Sequence, residues 1–247
     1  MLKNLKTKKG RDESGLFMVE GEKFISEIPG HYKIKQYLFS RKYADSHDLS
    51  LYKKKAACEV IRDSLFQSLA DTVTPQGIIA VCEKIPHRLC NLLQPGGFIL
   101  MGECLNDPGN AGTLVRTAAA AGAAGAIFTQ GSCDIFSPKV LRAAAGAVLR
   151  LPIISDAATA TTLSELKSSG VQIFSAHPRG TVLPYELNLR ESFCLLVGNE
   201  SHGISKEAES LSDALVRLPM THETESLNAS AAGSILLYEA VRQRNHS

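Results

Sequence analysis

The chain has 247 residues, 44% of them hydrophobic and 21% charged, and its formal net charge is +2. This length allows one large domain or two smaller ones, and the composition excludes a disordered or collagen-like chain. The charged N-terminus has no apolar segment, which excludes a signal peptide, and the stretch Thr117 to Cys133 is too weakly apolar to span a membrane. We therefore expect a cytoplasmic protein with no membrane contact.

The cysteines are scattered along the chain and include no C-x-x-C pair. This pattern disfavours both a disulfide framework and a metal cluster, so we expect reduced, mostly buried thiols and no bound metal. The residues concerned are Cys58, Cys82, Cys90, Cys104, Cys133 and Cys194.

Positive charge is concentrated in the front of the chain. Residues 1–92 hold 16 Lys and Arg against 11 Asp and Glu, whereas residues 93–247 hold 11 against 14. A basic segment of this kind is typical of proteins that contact a polyanion such as RNA, although charge runs this short also occur on solvated faces. We predict salt-sensitive, shape-led RNA binding through the basic N-terminal residues Lys3, Lys6, Lys8, Lys9 and Arg11.

The front of the chain predicts a small α/β domain. Apolar residues near helical spacing indicate a helix-rich opening from Phe17, followed by a strand over residues 34–40 and a helix over residues 58–70. A turn and a β-branched run then predict another strand. Pro86, Pro95 and two glycines indicate a boundary between residues 84 and 96, which divides the chain into domains 1–92 and 93–247.

From residue 93 onward, predicted strands alternate with predicted helices. Apolar runs predict strands over residues 98–103, 126–130, 171–176, 193–198 and 214–219, and one more beyond residue 149. The helices are predicted from residue 110 to Gly122, over residues 137–149, before Gly170, and from about Leu227 to the end. Continuous apolar strands that alternate with helices predict a parallel sheet covered by helices, which is an α/β fold.

Three polar loops that contain glycine follow strands of this sheet, at the edge where parallel α/β proteins bind ligands. The first, LNDPGNAGTLVR, carries Asn106, Asp107 and Asn110 at the start of a helix and Arg116 on its first turns. We interpret it as the mouth of a cleft, but taken alone it is equally typical of a helix cap with a surface arginine.

The second and third loops add a carboxylate and several small polar residues. In LLVGNESHGIS, Gly198 ends a strand and allows a ligand to approach, and Glu200 faces the same edge. In LPMTHETESLNASAAGSILLYEA, Ser226 is the expected N-cap of the last helix, and Asn228 lies in its first turn without an evident structural role. Neither G-x-G-x-x-G nor G-x-x-x-x-G-K-[ST] occurs at the start of a helix, which disfavours dinucleotide-binding dehydrogenases and P-loop NTPases.

Together and in this order, these stretches resemble the three motifs of the SpoU/TrmH family of RNA ribose 2′-O-methyltransferases. The segment DIFSPKVLRAAAGAVLRLPI is similar to the family's middle segment, and FMVEGEKFISEI with TPQGIIAV resembles the ribosomal-protein-like substrate-binding domain of many members. The resemblance implies a SPOUT-type parallel-sheet domain with a trefoil knot, S-adenosylmethionine as methyl donor, an RNA substrate and a homodimer. An added N-terminal domain favours ribosomal RNA over transfer RNA by analogy.

The resemblance also implies roles for individual residues. Those that match the family's catalytic and polar active-site positions are Asn110, Arg116, Glu200, Ser226 and Asn228. Those that match its cofactor-binding positions are Gly198, Asn199, Leu218, Met220 and Leu227. A protein arginine stays protonated, so we predict that Arg116 binds the target phosphate and activates the ribose hydroxyl electrostatically.

Two other functions fit the same sequence. One is a non-catalytic RNA-binding or ribosome-assembly protein that retains the fold, and the other is a related knotted enzyme that methylates a base. The joint presence of the polar active-site residues disfavours the first, and the spacing of Asn110 and Arg116 together with SLNAS favours the ribose hydroxyl over a base.

Overall fold

A computed structural model describes residues 2–221 and 226–245 of the chain, which form two β-sheets with flanking helices. The strands are β1 (Leu16–Glu20), β2 (Ile34–Ser40), β3 (Ala57–Ile61), β4 (Ile78–Glu83), β5 (Phe98–Gly102), β6 (Gly125–Thr129), β7 (Ile153–Ala157), β8 (Gln172–Ala176), β9 (Phe193–Val197) and β10 (Ala214–Val216). The α-helices are α1 (Lys8–Ser14), α2 (Glu22–Ser26), α3 (Arg41–Ser46), α4 (Ser50–Lys53), α5 (Asp63–Leu69), α6 (Pro108–Ala120), α7 (Pro138–Ala143), α8 (Thr159–Ser168), α9 (Lys206–Leu211) and α10 (Ala229–Asn245).

The first sheet is mixed and has the strand order β1-β4-β2-β3. Strand β4 is antiparallel to both of its neighbours, and β2 is parallel to β3. Alternate residues of β1 enter two different cores: Phe17 packs towards the second sheet, and Met18 packs beneath α5. This burial on both faces accounts for the continuous apolar sequence of β1.

The second sheet is parallel throughout and has the order β10-β8-β9-β5-β6-β7, as the alternating sequence pattern predicts. The adjacent strands β5 and β9 are fully buried, and the loops that follow them lie next to each other at the carboxyl edge. Helix α6 begins in the first of these loops, and Pro108 occupies its first turn. This order brings the first two polar loops of the sequence together.

Glycines allow the helices around this edge to pack closely. A Cβ atom on Gly112 of α6 would lie 2.4 Å from the Cβ of Ala143 in α7, and one on Gly233 of α10 would lie 2.5 Å from a Leu114 methyl. Gly112 therefore serves helix packing. The contact at Gly233 holds the start of α10 against α6, where the third loop meets the first.

Four sequence expectations about secondary structure are wrong in detail. The predicted helical opening at Phe17 is strand β1 followed by α2, and the helix predicted over residues 58–70 is strand β3 followed by α5. Around Phe17, the apolar residues are buried by two cores on opposite faces of β1, whereas in residues 58–70 Ile61, Phe66 and Leu69 are buried in a single core. The helix predicted over residues 137–149 ends at Ala143, because Ala145 and Gly146 adopt positive φ angles of 46° and 75°. The last helix begins at Ala229, and Asn228, not Ser226, caps it.

A buried ion pair joins the N-terminal segment to the second sheet. The Nε atom of Arg11 donates to Oδ2 of Asp134 at 2.5 Å, and its Nη1 donates to the Leu5 carbonyl at 2.6 Å. Exposed pairs at the same contact link Lys8 to Asp156 and, within the N-terminal part, Lys84 to Asp12. The two sheets therefore share an apolar core and a polar connection.

Candidate active site

A hydrogen-bond network joins the three polar loops. Asn110, in the first turn of α6, donates from Nδ2 to Oε1 of Glu200 at 3.0 Å. Its Oδ1 accepts from Asn228 Nδ2 at 2.9 Å and from Ser230 Oγ at 3.1 Å. Asn110 thus connects the loop after β5 to the loop after β9 and to the start of α10.

Each member of the network is held by its own backbone surroundings. The Asp107 side chain caps α6 by accepting from the Asn110 amide at 2.7 Å. The Glu200 carboxylate accepts weak bonds from the Asn106 and Asp107 amides at 3.4 and 3.3 Å. Asn228 accepts from the amides of the first turn of α10, which leaves its Nδ2 directed at Asn110. The cap and the network therefore depend on the same side chain.

A cleft with a volume of about 320 Å³ lies beside this network, at the carboxyl ends of β8, β9 and β10. The five residues predicted to hold the cofactor all line it, namely Gly198, Asn199, Leu218, Met220 and Leu227. Glu200 and Ser226 also line it. The size suits a small organic ligand, since such sites commonly measure about 300–1,000 Å³.

The loop after β9 forms one wall of the cleft and is closed on itself. Asn199 and Gly203 exchange two backbone hydrogen bonds of 2.9 Å, and Asn199 Nδ2 donates to the Cys104 carbonyl at 2.8 Å. A Cβ atom on Gly198 would lie 2.3 Å from the Gly203 carbonyl carbon, so only glycine allows this closure. The buried carboxylate of Glu103 accepts from the Ser205 amide and hydroxyl at 2.8 and 2.7 Å, which fixes the far end of the loop.

Arg116 lies away from this cleft. It is six residues beyond Asn110, which on an α-helix is about 9 Å along the axis and on a different face. Its side chain is exposed and lines a separate groove with Lys23 and Arg150. The structure therefore brings Asn110, Glu200 and Asn228 together and leaves Arg116 outside the cleft of its own chain.

The predicted RNA-binding residues differ in their availability. Lys3 and Lys9 are exposed, and Lys9 lies 3.7 Å from Glu13. Lys6 donates to the Ser68 and Ala70 carbonyls, and Lys8 pairs with two carboxylates. Arg11 is 3% exposed and forms a buried ion pair with Asp134. As the protein is folded here, Arg11 has no access to a phosphate.

Several residues of the site were not expected from the sequence. His177, Pro178 and Arg179 follow β8 and line the cleft, but they carry no motif that distinguishes them from an ordinary loop. Ser230 joins the network two residues after Asn228, and this spacing of small polar residues was the available signal. Glu103 ends an apolar run and is only 4% exposed. Its hydrogen-bond partner, Ser205, lies 102 residues further along the chain, where the local sequence gives no sign of it.

Burial raises the pKa of two thiols, Cys133 beside the site and Cys82 in β4 of the first sheet. Burial, together with Asp134 and the Glu200 carboxylate, raises the pKa of Cys133 to about 11, and burial raises the pKa of Cys82 to about 12. Among residues 2–221 and 226–245, no three His, Cys, Asp or Glu side chains are grouped as metal ligands would be. No helix within these ranges is long and apolar enough to cross a membrane.

Comparison with known proteins identifies the family. The model of the SpoU rRNA Methylase family matches residues 97–238, which contain the network and the cleft. The chain belongs to this family. The model of the MRM3-like substrate binding domain matches residues 1–80, as the resemblance of the first sheet's sequence predicted.

Relatives that align with nearly all of this chain exist in bacteria and humans. The 23S rRNA (guanosine(2553)-2′-O)-methyltransferase RlmP of Bacillus subtilis is 31% identical and aligns with 96% of this chain and 92% of its own length. The mitochondrial rRNA methyltransferase 3 of Homo sapiens is 26% identical over 97% of this chain and 70% of its own length. These two relatives extend across both sheets of the present structure.

Solved structures share the complete fold. An AdoMet-bound rRNA methyltransferase from Sinorhizobium meliloti is 29% identical, with a TM-score of 0.86 and coverage of 98% of this chain and 92% of its own. The SpoU methyltransferase AviRb from Streptomyces viridochromogenes, solved with AdoMet, has a TM-score of 0.91 at 23% identity, with coverage of 99% and 97%. The second likeness concerns the fold alone. The predicted SPOUT-type α/β fold is confirmed, and the trefoil knot stays a prediction.

Proposed function

We propose that this protein transfers the methyl group of S-adenosylmethionine to a ribose 2′-hydroxyl in ribosomal RNA. The network that joins Asn110, Glu200 and Asn228 beside the cleft is the observation that carries the proposal. It brings one polar residue from each of the three family motifs together beside one cavity. The 23S rRNA methyltransferase that is 31% identical over 96% of this chain supports ribosomal over transfer RNA.

The cleft fits S-adenosylmethionine in size and chemistry. Its lining combines the apolar side chains of Val197, Val216 and Leu236 with the closely packed backbone at Gly198. Glu200 contributes a carboxylate and Arg179 a cation to the same lining, and the carboxylate favours the positively charged sulfonium at its side of the cleft. Leu218, Met220 and Leu227 line the cleft and are proposed to hold the adenosine and methionine parts.

The reaction requires correct positioning of the two reactants more than it requires their chemical activation. The methyl group on a sulfonium is already reactive, so the protein has to hold the ribose oxygen in line with it and accept one proton. We assign the positioning of Glu200 to Asn110, which is itself fixed by Asn228 and Ser230. Ser226 lines the cleft close to this network and is proposed as a polar contact for the bound groups.

Arg116 is proposed to act in the cleft of a partner subunit. Its own cleft lies on another side of α6, and its guanidinium makes no hydrogen bond within residues 2–221 and 226–245. A homodimer formed through α10 is supported by Ile235 and Tyr238, which are 49% and 52% exposed. In such a dimer Arg116 binds the target phosphate, and its charge favours loss of the hydroxyl proton to phosphate or water.

The N-terminal part is proposed to bind the RNA. We place the domain boundary between residues 84 and 96, so that residues 1–92 form the substrate-binding domain and residues 93–247 the methyltransferase domain. Of the basic N-terminal residues predicted to bind RNA, Lys3 and Lys9 are exposed and accessible to phosphates. A cytoplasmic location stays a prediction.

The decisive experiment measures transfer of labelled methyl into separated ribosomal and transfer RNA from a strain that lacks this gene. Digestion to nucleosides should yield a labelled 2′-O-methylnucleoside from the ribosomal pool, and Arg116→Ala should abolish it while cofactor affinity stays nearly unchanged. Label in a base would favour the knotted base methyltransferases. No label in either pool would leave the non-catalytic RNA-binding protein as the better explanation.

Conservative replacement separates the possible roles of Arg116. Arg116→Lys keeps the positive charge but loses the planar guanidinium that binds a phosphate through two parallel hydrogen bonds. We expect turnover to fall by about tenfold or more. Nearly full turnover in this variant would contradict the two-bond geometry, and a large loss of cofactor affinity would place Arg116 at the cofactor.

A further inference from the structure

A second large cavity, the α2–α6 groove, lies between the two sheets and outside the cofactor cleft. It has a volume of about 580 Å³ and is bordered by Lys23, Phe24 and Glu27 from the N-terminal part. Its other side is formed by Arg116 and Arg150 of the methyltransferase part. The groove therefore uses both domains, as a surface for an extended substrate would.

The charge of the groove is positive. Three cations, Lys23, Arg116 and Arg150, face it, against the single carboxylate of Glu27. Lys23 and Arg116 make no ion pair within residues 2–221 and 226–245. Within the same ranges, the polar contacts of Arg150 are long, 3.4 Å to Glu27 Oε2 and 3.5 Å to the Ala145 carbonyl. These side chains are available to bind an anion without breaking a strong internal contact.

The floor of the groove is made of small side chains and a strained turn. Ala119, Ala120 and Ala123 provide the α6 side, and Ala145 and Ala147 provide the other. Ala145 has a φ angle of +46°, which a side-chain-bearing residue rarely adopts and which commonly marks functional sites. This turn ends α7 early and directs the chain towards Arg150 at the groove wall.

We propose that the α2–α6 groove binds the RNA strand that flanks the methylated nucleotide, with Arg150 and Lys23 as its phosphate contacts. The inference rests on the proposed function and extends it, because Arg116 at one side of the groove is the residue assigned to the target phosphate. Arg150 and Lys23 then bind neighbouring phosphates of the same strand. Glu27 is an internal counter-ion of Arg150 that the phosphate displaces.

The test compares Arg150→Ala and Lys23→Ala with Lys139→Ala, an exposed lysine of α7 that does not line the groove. Binding of unmodified 23S ribosomal RNA, transcribed in vitro, is measured without cofactor over a range of salt. At about 0.1 M salt each groove variant should lose about fivefold in affinity, and the log–log salt slope should fall by about 0.7–0.9, as expected for one lost phosphate contact. Lys139→Ala should match the wild type.

Two further variants test whether the charge of the groove controls its affinity for RNA. Glu27→Gln removes the competing carboxylate, so it should raise RNA affinity, whereas Arg150→Lys keeps the charge and should keep the salt slope. Thermal unfolding midpoints close to that of the wild type confirm that the variants are folded. Turnover at saturating RNA should change less than the KM for RNA.

The outcomes separate this inference from the proposed function. Groove variants that bind RNA like Lys139→Ala overturn it, even if the wild type methylates ribosomal RNA normally. Groove variants that dissociate a dimer in sedimentation, with no change in salt slope, also overturn it, because the groove is then a subunit contact. If the wild type transfers no methyl group, the proposed function fails, and the binding measurement still decides the role of the groove.

Discussion

Replacement of Arg11 by methionine removes one partner of a buried ion pair, and we expect it to lower the free energy of unfolding by about 3–5 kcal/mol. The side chains of Arg11 and Asp134 are only 4% and 9% exposed. Without the guanidinium, the Asp134 carboxylate would stay buried with no compensating charge, and the Leu5 carbonyl would lose a donor. Methionine fills most of the volume of arginine, so the loss reports mainly on the polar contact.

This loss is large relative to the whole stability of a protein, which is commonly about 5–15 kcal/mol. For a chain of this size, 1 kcal/mol corresponds to about 2–4 °C in the unfolding midpoint, so Arg11→Met should lower Tm by about 6–20 °C. Urea denaturation followed by circular dichroism measures the free energy directly. Because the pair joins the N-terminal segment to the second sheet, a separate early transition of the N-terminal part is also expected.

Matched variants make the test specific. Lys9→Met removes a cation that is 84% exposed and 3.7 Å from Glu13, and its effect should be within about 0.5 kcal/mol. Combining Arg11→Met with Asp134→Leu removes both charges and should recover much of the loss. A loss below about 1 kcal/mol in Arg11→Met, accompanied by a reduced salt dependence of RNA binding, would refute the structural role and restore Arg11 as an RNA contact.

Three other predictions address the site. Gly198→Ala should abolish cofactor binding and lower stability, because its Cβ would lie 2.3 Å from backbone that has no room to move; isothermal titration showing unchanged affinity would contradict the loop-closure argument. Asn110→Ala leaves Glu200 without its side-chain donor, so kcat should fall at least about tenfold while cofactor affinity stays within about threefold, and an equal loss in both would place Asn110 at the cofactor. The raised pKa of Cys133, about 11, keeps its thiol protonated at neutral pH, so iodoacetamide should modify the exposed Cys90 first. Labelling of Cys133 should rise about tenfold per pH unit up to that pKa, and mass spectrometry showing rapid labelling at pH 7 would contradict the burial argument.

The regular part of the fold and most of the site were predictable from local sequence. The second sheet has continuous apolar strands separated by helices with glycine ends, and this pattern survives in the structure because both faces of each central strand are covered. Asn110, Glu200 and Asn228 follow strands or begin helices, so the carboxyl-edge rule of parallel sheets was enough to bring them together. The order of the three motifs along the chain indicated that these residues belong to one active site.

The sequence alone determined the family, the parallel sheet and three members of the network, Asn110, Glu200 and Asn228, since each depends on short stretches whose residue types are individually restrictive. Only the tertiary structure decided which cations are accessible to a ligand. Arg11 is buried against Asp134, 123 residues away, whereas Arg116 and Arg150 line a groove with Lys23. It also decided that β1 is a strand, because two separate cores cover its two faces. Charge and hydrophobicity are properties of single residues, but burial and pairing depend on which distant segments the fold places beside them.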